Sequence, residues 1–171
     1  DSMQVYKQLR ILSARPSLKE YKKIKHHLYG FQSVSKNFST GDWLKLVNKK
    51  ILILRSKKKV PILVGGTGLY FKALTDGLVS IPNIPTKLRN RVRTLHKKIG
   101  PKNFFLKLIK SDPRVKNRIK STDTQRAIRA YEIKLFTKKS MYDWFKNTKA
   151  NYDQKDFYKI QIDFPRNELL K

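Results

Sequence analysis

Hydrophobic positions in the first half of the chain follow the spacing of a helix and then the run of a buried strand. Between residues 40 and 57, apolar side chains recur three and four positions apart, which predicts an amphipathic helix capped by Ser39 or Thr40. The uninterrupted apolar run over 60–64 is typical of a strand buried in a parallel sheet. A glycine-rich turn at 65–68 and a helix that ends before Gly77 follow it. This order predicts an α/β fold.

The second half of the chain reads as helical and basic after Pro82 and Pro85. Three helical stripes are predicted there, made by Leu88, Val92, Leu95 and Ile99; by Phe104, Phe105, Leu108 and Ile109; and by Ile128, Tyr131 and Leu135. Residues 138–156 look irregular, and apolar residues alternate with polar ones over 158–164, which predicts a half-buried strand. We expect part of a catalytic α/β core over 1–84, a basic helical insertion over 85–121 and a return to the core over 122–171.

The charge of the chain narrows its partners. There are 40 Lys and Arg residues against 12 Asp and Glu residues in 171, a net charge of +28. Residues 87–134 hold sixteen of the basic residues and three acidic ones, so this segment is more than twice as charge-dense as the rest. Nucleic acid is the leading candidate, because neutralising phosphates releases counterions. The alternative is a lysine-rich composition that fills solvated surface without a binding role.

Several functional classes are excluded by composition. With no cysteine, the chain has no disulfide framework, no thiolate catalysis and no cysteine-ligated metal. The adjacent His26 and His27 have no third ligand at a suitable spacing, so no metal site is predicted in this chain. No apolar run approaches the roughly 18–20 residues of a membrane span, and we expect no signal peptide. We expect a cytoplasmic monomer with no membrane partner.

Two segments carry candidate chemistry near the predicted sheet. The turn Gly65-Gly66-Thr67-Gly68 would let backbone amides approach an anion at a helix N-terminus. A tight turn that serves packing alone explains the same glycines. Asp1, at the carboxyl end of a predicted strand, is placed to act as a general base, although a loop-capping role is the alternative.

A third candidate lies at the start of the last predicted basic helix. Gln125 and Arg129 are four residues apart and share a helix face, and Arg126 lies three residues from Arg129. Such a cluster can hold a phosphate backbone and present an amide to a base or sugar. The alternative is a solvated face with an Arg129–Glu132 ion pair worth about 0.3–0.5 kcal/mol.

Taken together in their order along the chain, these motifs resemble the tRNA dimethylallyltransferase (tRNA isopentenyltransferase) family over essentially the whole length. The matching segments are Asp1-Ser2-Met3-Gln4-Val5-Tyr6, Arg15-Pro16-Ser17, His26-His27-Leu28, Val64 to Tyr70, Asp112-Pro113, Arg118-Ile119, Asp123 to Glu132, and Pro165-Arg166 with Glu168. The resemblance implies a P-loop NTPase-like parallel sheet, incomplete in this sequence, with a helical tRNA-binding insertion.

The resemblance also implies an activity and its residues. The dimethylallyl group would pass from dimethylallyl diphosphate to N6 of the adenosine 3′-adjacent to the anticodon. Asp1 would be the general base, and Thr67 would contact the target nucleotide and the reacting centre. The implied tRNA contacts, to the anticodon stem-loop, are Asp1, Ser2, Met3, Gln4, Thr67, Arg89, Gln125, Arg126, Ala127, Ile128 and Arg129.

The leaving group would be held mainly by parts of the family pattern that this sequence lacks. The family's Walker-type loop lies upstream of Asp1, and with it the main ligands of the implied Mg²⁺ and diphosphate; Gly65 and Gly66 are the candidates for diphosphate here. We therefore expect the isolated chain to be inactive. Two alternatives are an adenylate isopentenyltransferase that modifies a free nucleotide and a non-catalytic basic RNA-binding module.

Overall fold

The computed structural model describes residues 3–22 and 24–169, which form two compact units. The first unit comprises residues 1–78 and 150–171, and the second comprises residues 79–149. The predicted insertion over 85–121 and the helix that follows it lie in the same unit. The division into catalytic core and insertion remains a prediction.

The first unit is built around two helices, α1 (Thr40–Ser56) and α2 (Gly68–Thr75). Ser39 caps α1, because its Oγ accepts from the Asp42 N–H at 3.2 Å while the Asp42 carboxylate accepts from the Ser39 N–H at 3.1 Å. The predicted stripe of α1 is confirmed: Trp43, Val47 and Ile51 are buried, and they form a core with Val5 and Leu74 of α2.

The two strands predicted in this unit are not formed. Among the described residues, the one β-bridge is a parallel contact between Tyr6 and Gln32. Val60 and Ile62 are 86% and 81% exposed, so the burial predicted for these two residues is not observed, whereas Leu63 packs against the core of the unit. In the segment 158–164 the apolar residues Tyr158, Ile160, Ile162 and Phe164 are all exposed. A strand takes its backbone hydrogen bonds from a neighbouring strand, and no described residue supplies one to either segment.

The second unit is helical. The helix α3 (Thr86–Ser111) is broken at Gly100, whose φ of 76° interrupts the helical backbone just before Pro101. A 3₁₀ turn (Pro113–Val115), the helix α4 (Thr124–Thr137) and the short helix α5 (Met141–Phe145) follow. The three predicted apolar stripes are confirmed as one core, with Val92, Phe104, Leu108, Ala130, Tyr131 and Ile133 buried at its centre.

The segment 138–156 is less irregular than predicted. It contains α5 and, in the first unit, a 3₁₀ turn (Gln154–Asp156). The first unit also contains a 3₁₀ turn (Glu20–Lys22) and the short helix α6 (Arg166–Leu169). Ser140 caps α5 in a box with Asp143. No helix in the described part of the chain has the length and apolar character needed to span a membrane.

Candidate functional site

The predicted catalytic segment begins outside the described residues, because Asp1 and Ser2 precede them. Met3 is exposed. The Gln4 amide donates to the backbone carbonyls of Ser13 and Ala14 at 3.0 and 3.1 Å. The backbone carbonyl of Gln4 accepts from the Gly30 N–H at 2.8 Å. Gln4 therefore holds two loops in place, and both of its amide protons are used in doing so.

Arg15 completes this loop arrangement. Its guanidinium donates to the carbonyls of Tyr6 and Lys7 at 3.1 and 3.3 Å. It lies so close to Gly30 that a Cβ there would come within 1.7 Å of Nη1. Gly30 also has a φ of 57°, so a side chain at this position would be both strained and blocked. The segment 4–7 is thus held by Arg15 and by the Gly30 N–H.

The glycine-rich turn leads directly into α2, as predicted. Thr67 is half-buried at the N-cap, and its carbonyl accepts from the Tyr70 N–H at 3.0 Å. A Cβ added at Gly66 or Gly68 would meet no atom within 4 Å. The space over the turn is therefore open, and the first amides of α2 are accessible to an anion.

The Mg²⁺ implied by the family pattern has its expected main ligands upstream of Asp1. Within 3–22 and 24–169, no group of three or more His, Cys, Asp or Glu side chains is placed to hold an ion. No step of the chemistry is therefore assigned to a metal on these residues.

The predicted tRNA contacts in the first turns of α4 are of two kinds, exposed polar residues and apolar residues at the core. Gln125 and Arg126 are exposed, and the Arg126 guanidinium lies 3.4 Å from the Asp123 carboxylate that also caps the helix. Ala127 is 3% exposed and belongs to the core, against which Ile128 packs. The prediction that Ala127 contacts tRNA is corrected for its side chain, which is buried inside the unit, whereas the half-buried Ile128 stays a predicted contact.

Arg129 has a buried partner. Its Nη1 lies 3.6 Å from Oε2 of Glu132, a carboxylate that is 4% exposed, while Oε1 of Glu132 is buried without a hydrogen-bond partner among the described residues. The ion pair considered in the sequence analysis is therefore confirmed. Glu132 holds the Arg129 guanidinium on one side, and the Arg129 side chain stays about two-fifths exposed.

Arg89, the other predicted contact, lies in the first turn of α3. It is half-buried, and its Nε is enclosed without a hydrogen-bond partner among the described residues. The structure thus presents Arg89, Gln125, Arg126 and Arg129 on the second unit. In each of the four, polar side-chain atoms are exposed or have no hydrogen-bond partner among the described residues.

Sequence reasoning missed a cluster of charged and aromatic residues around α5. Arg114 forms a bidentate ion pair with Asp143, and the Arg118 guanidinium lies over the Tyr142 ring, 4.6 Å from its centroid. Burial raises the pKa of the Tyr142 phenol, an effect that the charges of Arg118 and Arg126 partly offset. The signal available in the sequence was the capping pattern Ser140-x-x-Asp143, which marks the start of a helix.

Comparisons with known proteins give the same family as the motifs. Residues 4–171 match the family model described as IPP transferase. The chain is 57% identical over 171 residues to the tRNA dimethylallyltransferase of Pelagibacter ubique (strain HTCC1062), covering 100% of this chain and 55% of that protein. It is 47% identical over 145 residues to the enzyme of the same name from Rickettsia massiliae (strain Mtu5), covering 84% and 40% of the two chains.

A solved structure of a eukaryotic dimethylallyltransferase acting on tRNA is also similar. It superposes with a TM-score of 0.74 at 27% identity, over 90% of this chain and 38% of that one. The chain spans about half the length of the curated relatives it matches. Since the family model covers nearly every residue, the chain belongs to the IPP transferase family.

Proposed function

We propose that the protein transfers the dimethylallyl group of dimethylallyl diphosphate to N6 of the adenosine 3′-adjacent to the anticodon in tRNA. The observation that carries this proposal is the match to the IPP transferase model over residues 4–171. The structural similarity to a dimethylallyltransferase acting on tRNA supports it, because that similarity extends over 90% of the chain.

The chemistry requires a base removed from its stack and a proton acceptor. An exocyclic adenine amine is a weak nucleophile and is hidden in stacked RNA, so the enzyme must extrude the nucleotide. In this proposal Asp1 accepts the amine proton as the N6–carbon bond forms and the bond to diphosphate breaks. Ser2, Met3 and Gln4 line the adenine, and the loops fixed by Gln4 and Arg15 set the direction of this segment.

The glycine-rich turn supplies the other side of the reaction. Thr67 contacts the target nucleotide, and the open backbone at Gly65 and Gly66 faces the diphosphate. Backbone amides at the start of a helix stabilise the negative charge that grows on a leaving group. The open space over Gly66 and Gly68 supports this assignment, because a ligand could approach the backbone without a Cβ in its way.

The second unit holds the RNA in this proposal. Folded RNA stems are recognised mainly by shape and by their phosphates, which suits the exposed cations of α4 and Arg89 of α3. A free nucleotide needs no such surface, so tRNA is favoured over AMP as the substrate. The net charge of +13 over residues 87–134 is the observation that separates these two candidates.

The two extended apolar segments of the first unit fit the same proposal. Residues at alternate positions are exposed in both segments: Val60, Ile62 and Val64 in one, and Tyr158, Ile160 and Ile162 in the other. A parallel sheet, whose two faces are both covered, would bury these side chains. We place them as strands of a P-loop-type parallel sheet whose neighbouring strands come from parts of the family sequence beyond this chain. An intact enzyme would then bury both segments.

The experiment is single-turnover transfer by the full-length protein, with Asp1→Asn as the variant. We expect the rate to fall about 10²–10⁴-fold while tRNA affinity stays unchanged, because a general base acts on the reacting proton. Asp76→Asn, at the end of α2, is the matched control and should keep its rate. Transfer to AMP in preference to tRNA, or an unchanged rate for Asp1→Asn, would contradict the proposal.

A further inference from the structure

An open groove of about 600 Å³ lies in the second unit between α3 and the segment that precedes α4. We call it the basic groove; its lining residues are Phe105, Lys116, Asn117, Arg118, Ile119, Lys120, Ser121 and Thr122. Three of these residues are cations and none is acidic. The groove therefore suits a polyanion, with one aromatic wall from Phe105.

Hydrogen-bond donors that no described residue uses lie along residues 120–122 of the groove. Within the part of the chain that the structure describes, the backbone N–H groups of Lys120, Ser121 and Thr122 donate to no acceptor. The side chains of Ser121 and Thr122 are exposed, and their hydroxyls likewise make no hydrogen bond to a described residue. A phosphate has the acceptor oxygens that such donors require.

The Arg118 guanidinium is held in place before any ligand arrives. It stacks on Tyr142 at 4.6 Å, and the neighbouring Arg114 is fixed by Asp143 of the same short helix. A cation with few conformations loses less entropy when it binds. Asp123 follows Thr122 of the groove and lies 3.4 Å from the Arg126 guanidinium, so the basic groove adjoins the exposed start of α4.

We propose that the basic groove binds a second stretch of the tRNA phosphate backbone, next to the stretch held by Arg126. The inference rests on the proposed tRNA substrate and extends it to residues 116–122, which include the matching segment Arg118-Ile119 and part of the implied insertion but none of the assigned tRNA contacts. The groove contributes to affinity and not to the chemical step, because its lining holds none of the residues assigned to the reaction.

The test compares two triple variants of the full-length protein. The groove variant loses the three charges of the groove through Lys116→Gln, Arg118→Gln and Lys120→Gln. The control variant loses three charges from exposed positions in and just after α1, through Lys49→Gln, Lys57→Gln and Lys59→Gln. Each lost phosphate contact flattens the slope of log K against log salt by about 0.7–0.9. We expect a flattening of roughly two for the groove variant only. We also expect its KM for tRNA to rise at least tenfold with kcat unchanged.

A second measurement does not depend on charge removal. The chain has no cysteine of its own, so a photocrosslinker attached to Ser121→Cys labels the groove at one known position within it. Crosslinking to the anticodon arm supports the proposal, and crosslinking no stronger than that from Lys59→Cys overturns it. If the unmodified protein acts on tRNA but both triple variants have equal slopes, the groove assignment alone is wrong. If the unmodified protein neither binds nor modifies tRNA, the proposed function is wrong as well.

Discussion

Arg114 and Asp143 join the turn after α3 to the first turn of α5 through two parallel hydrogen bonds. The guanidinium Nη2 lies 2.7 Å from Oδ2, and Nη1 pairs with Oδ1. Asp143 also accepts from the Ser140 N–H at 3.1 Å, so one carboxylate both caps α5 and fixes Arg114. Because the ring of the preceding residue of α5, Tyr142, lies under the Arg118 guanidinium, this short helix arranges the cations of residues 114–118.

The Arg114 pair predicts a dependence of stability on pH. Hydrogen bonding to Arg114 holds the pKa of Asp143 below its ordinary value of 3.8. A carboxyl with a lowered folded pKa stabilises the protein above the ordinary value and loses that contribution as the pH falls through the folded pKa. We expect Asp143→Asn to reduce the free energy of unfolding at pH 6, and the difference from the parent to shrink as the pH falls below 3.8 and to disappear below the folded pKa of Asp143.

Urea unfolding between pH 3 and pH 6 measures this effect. Asp163→Asn is the control, because its exposed side chain forms no ion pair with a described residue. A difference between parent and Asp143→Asn that persists unchanged into acid would show that the Arg114 pair does not stabilise the second unit.

The core of the second unit offers a matched pair of leucines on α3. Leu108 is completely buried, whereas Leu106, two residues earlier, is 58% exposed. Leu108→Ala leaves a cavity and is expected to cost about 2–5 kcal/mol. Leu106→Ala should change the free energy of unfolding by no more than about 0.5 kcal/mol. Chemical denaturation of the two variants checks the assignment, and similar losses in both would place the core on the wrong face of α3.

Helical parts of the fold were predictable because burial of one helix face repeats every three or four residues. The stripes led by Trp43, Leu88 and Ile128 all pack as expected. At 60–64 the apolar run shows which residues favour burial but not what covers them, so the strand prediction depended on partners that the described residues do not supply. The helix α5 is five residues long, too short for a stripe to be visible.

The candidate site was predictable in its residue types more than in its contacts. Gln125, Arg126 and Arg129 lie at the start of a helix as predicted, but the sequence could not show that Glu132 is buried beside Arg129. Ala127 was assigned to tRNA with its neighbours because a motif is contiguous, whereas a helix turns each successive side chain by about 100°. That rotation places Ala127 in the core.

Arg129 should therefore have an effect on stability as well as on RNA. Arg129→Gln leaves the buried Glu132 carboxylate without its counter-charge, an expected loss of about 1–3 kcal/mol. Adding Glu132→Gln should recover much of this loss without restoring tRNA affinity. Arg126→Gln, whose side chain is 73% exposed, should weaken tRNA binding with little change in stability.

A double-mutant cycle of Arg129 and Glu132 separates these contributions. The free energy of unfolding is measured for both single variants and the pair, and the salt dependence of tRNA binding is measured for each. Additive losses of stability would mean that Glu132 does not interact with Arg129. Recovered RNA affinity in the pair would mean that Arg129 affects RNA only through folding.

The glycine-rich turn provides the most direct test of a ligand over residues 65–68. Gly66 has no positive φ that a side chain would disfavour, and a Cβ there meets no protein atom within 4 Å. Gly66→Ala should therefore fold as stably as the parent, within about 0.5 kcal/mol. If the turn lies against diphosphate, the added methyl group occupies the space of the ligand, and the KM for dimethylallyl diphosphate should rise at least tenfold while the KM for tRNA stays constant.

Gly100→Ala is the opposite control, since the φ of 76° at this position strains any side chain. The substitution should cost about 1–2 kcal/mol of folding free energy without changing either KM of the folded protein. Steady-state kinetics and urea unfolding of the two variants in the full-length protein decide the matter, and a Gly66→Ala enzyme with parental KM values would leave the turn as a packing feature only.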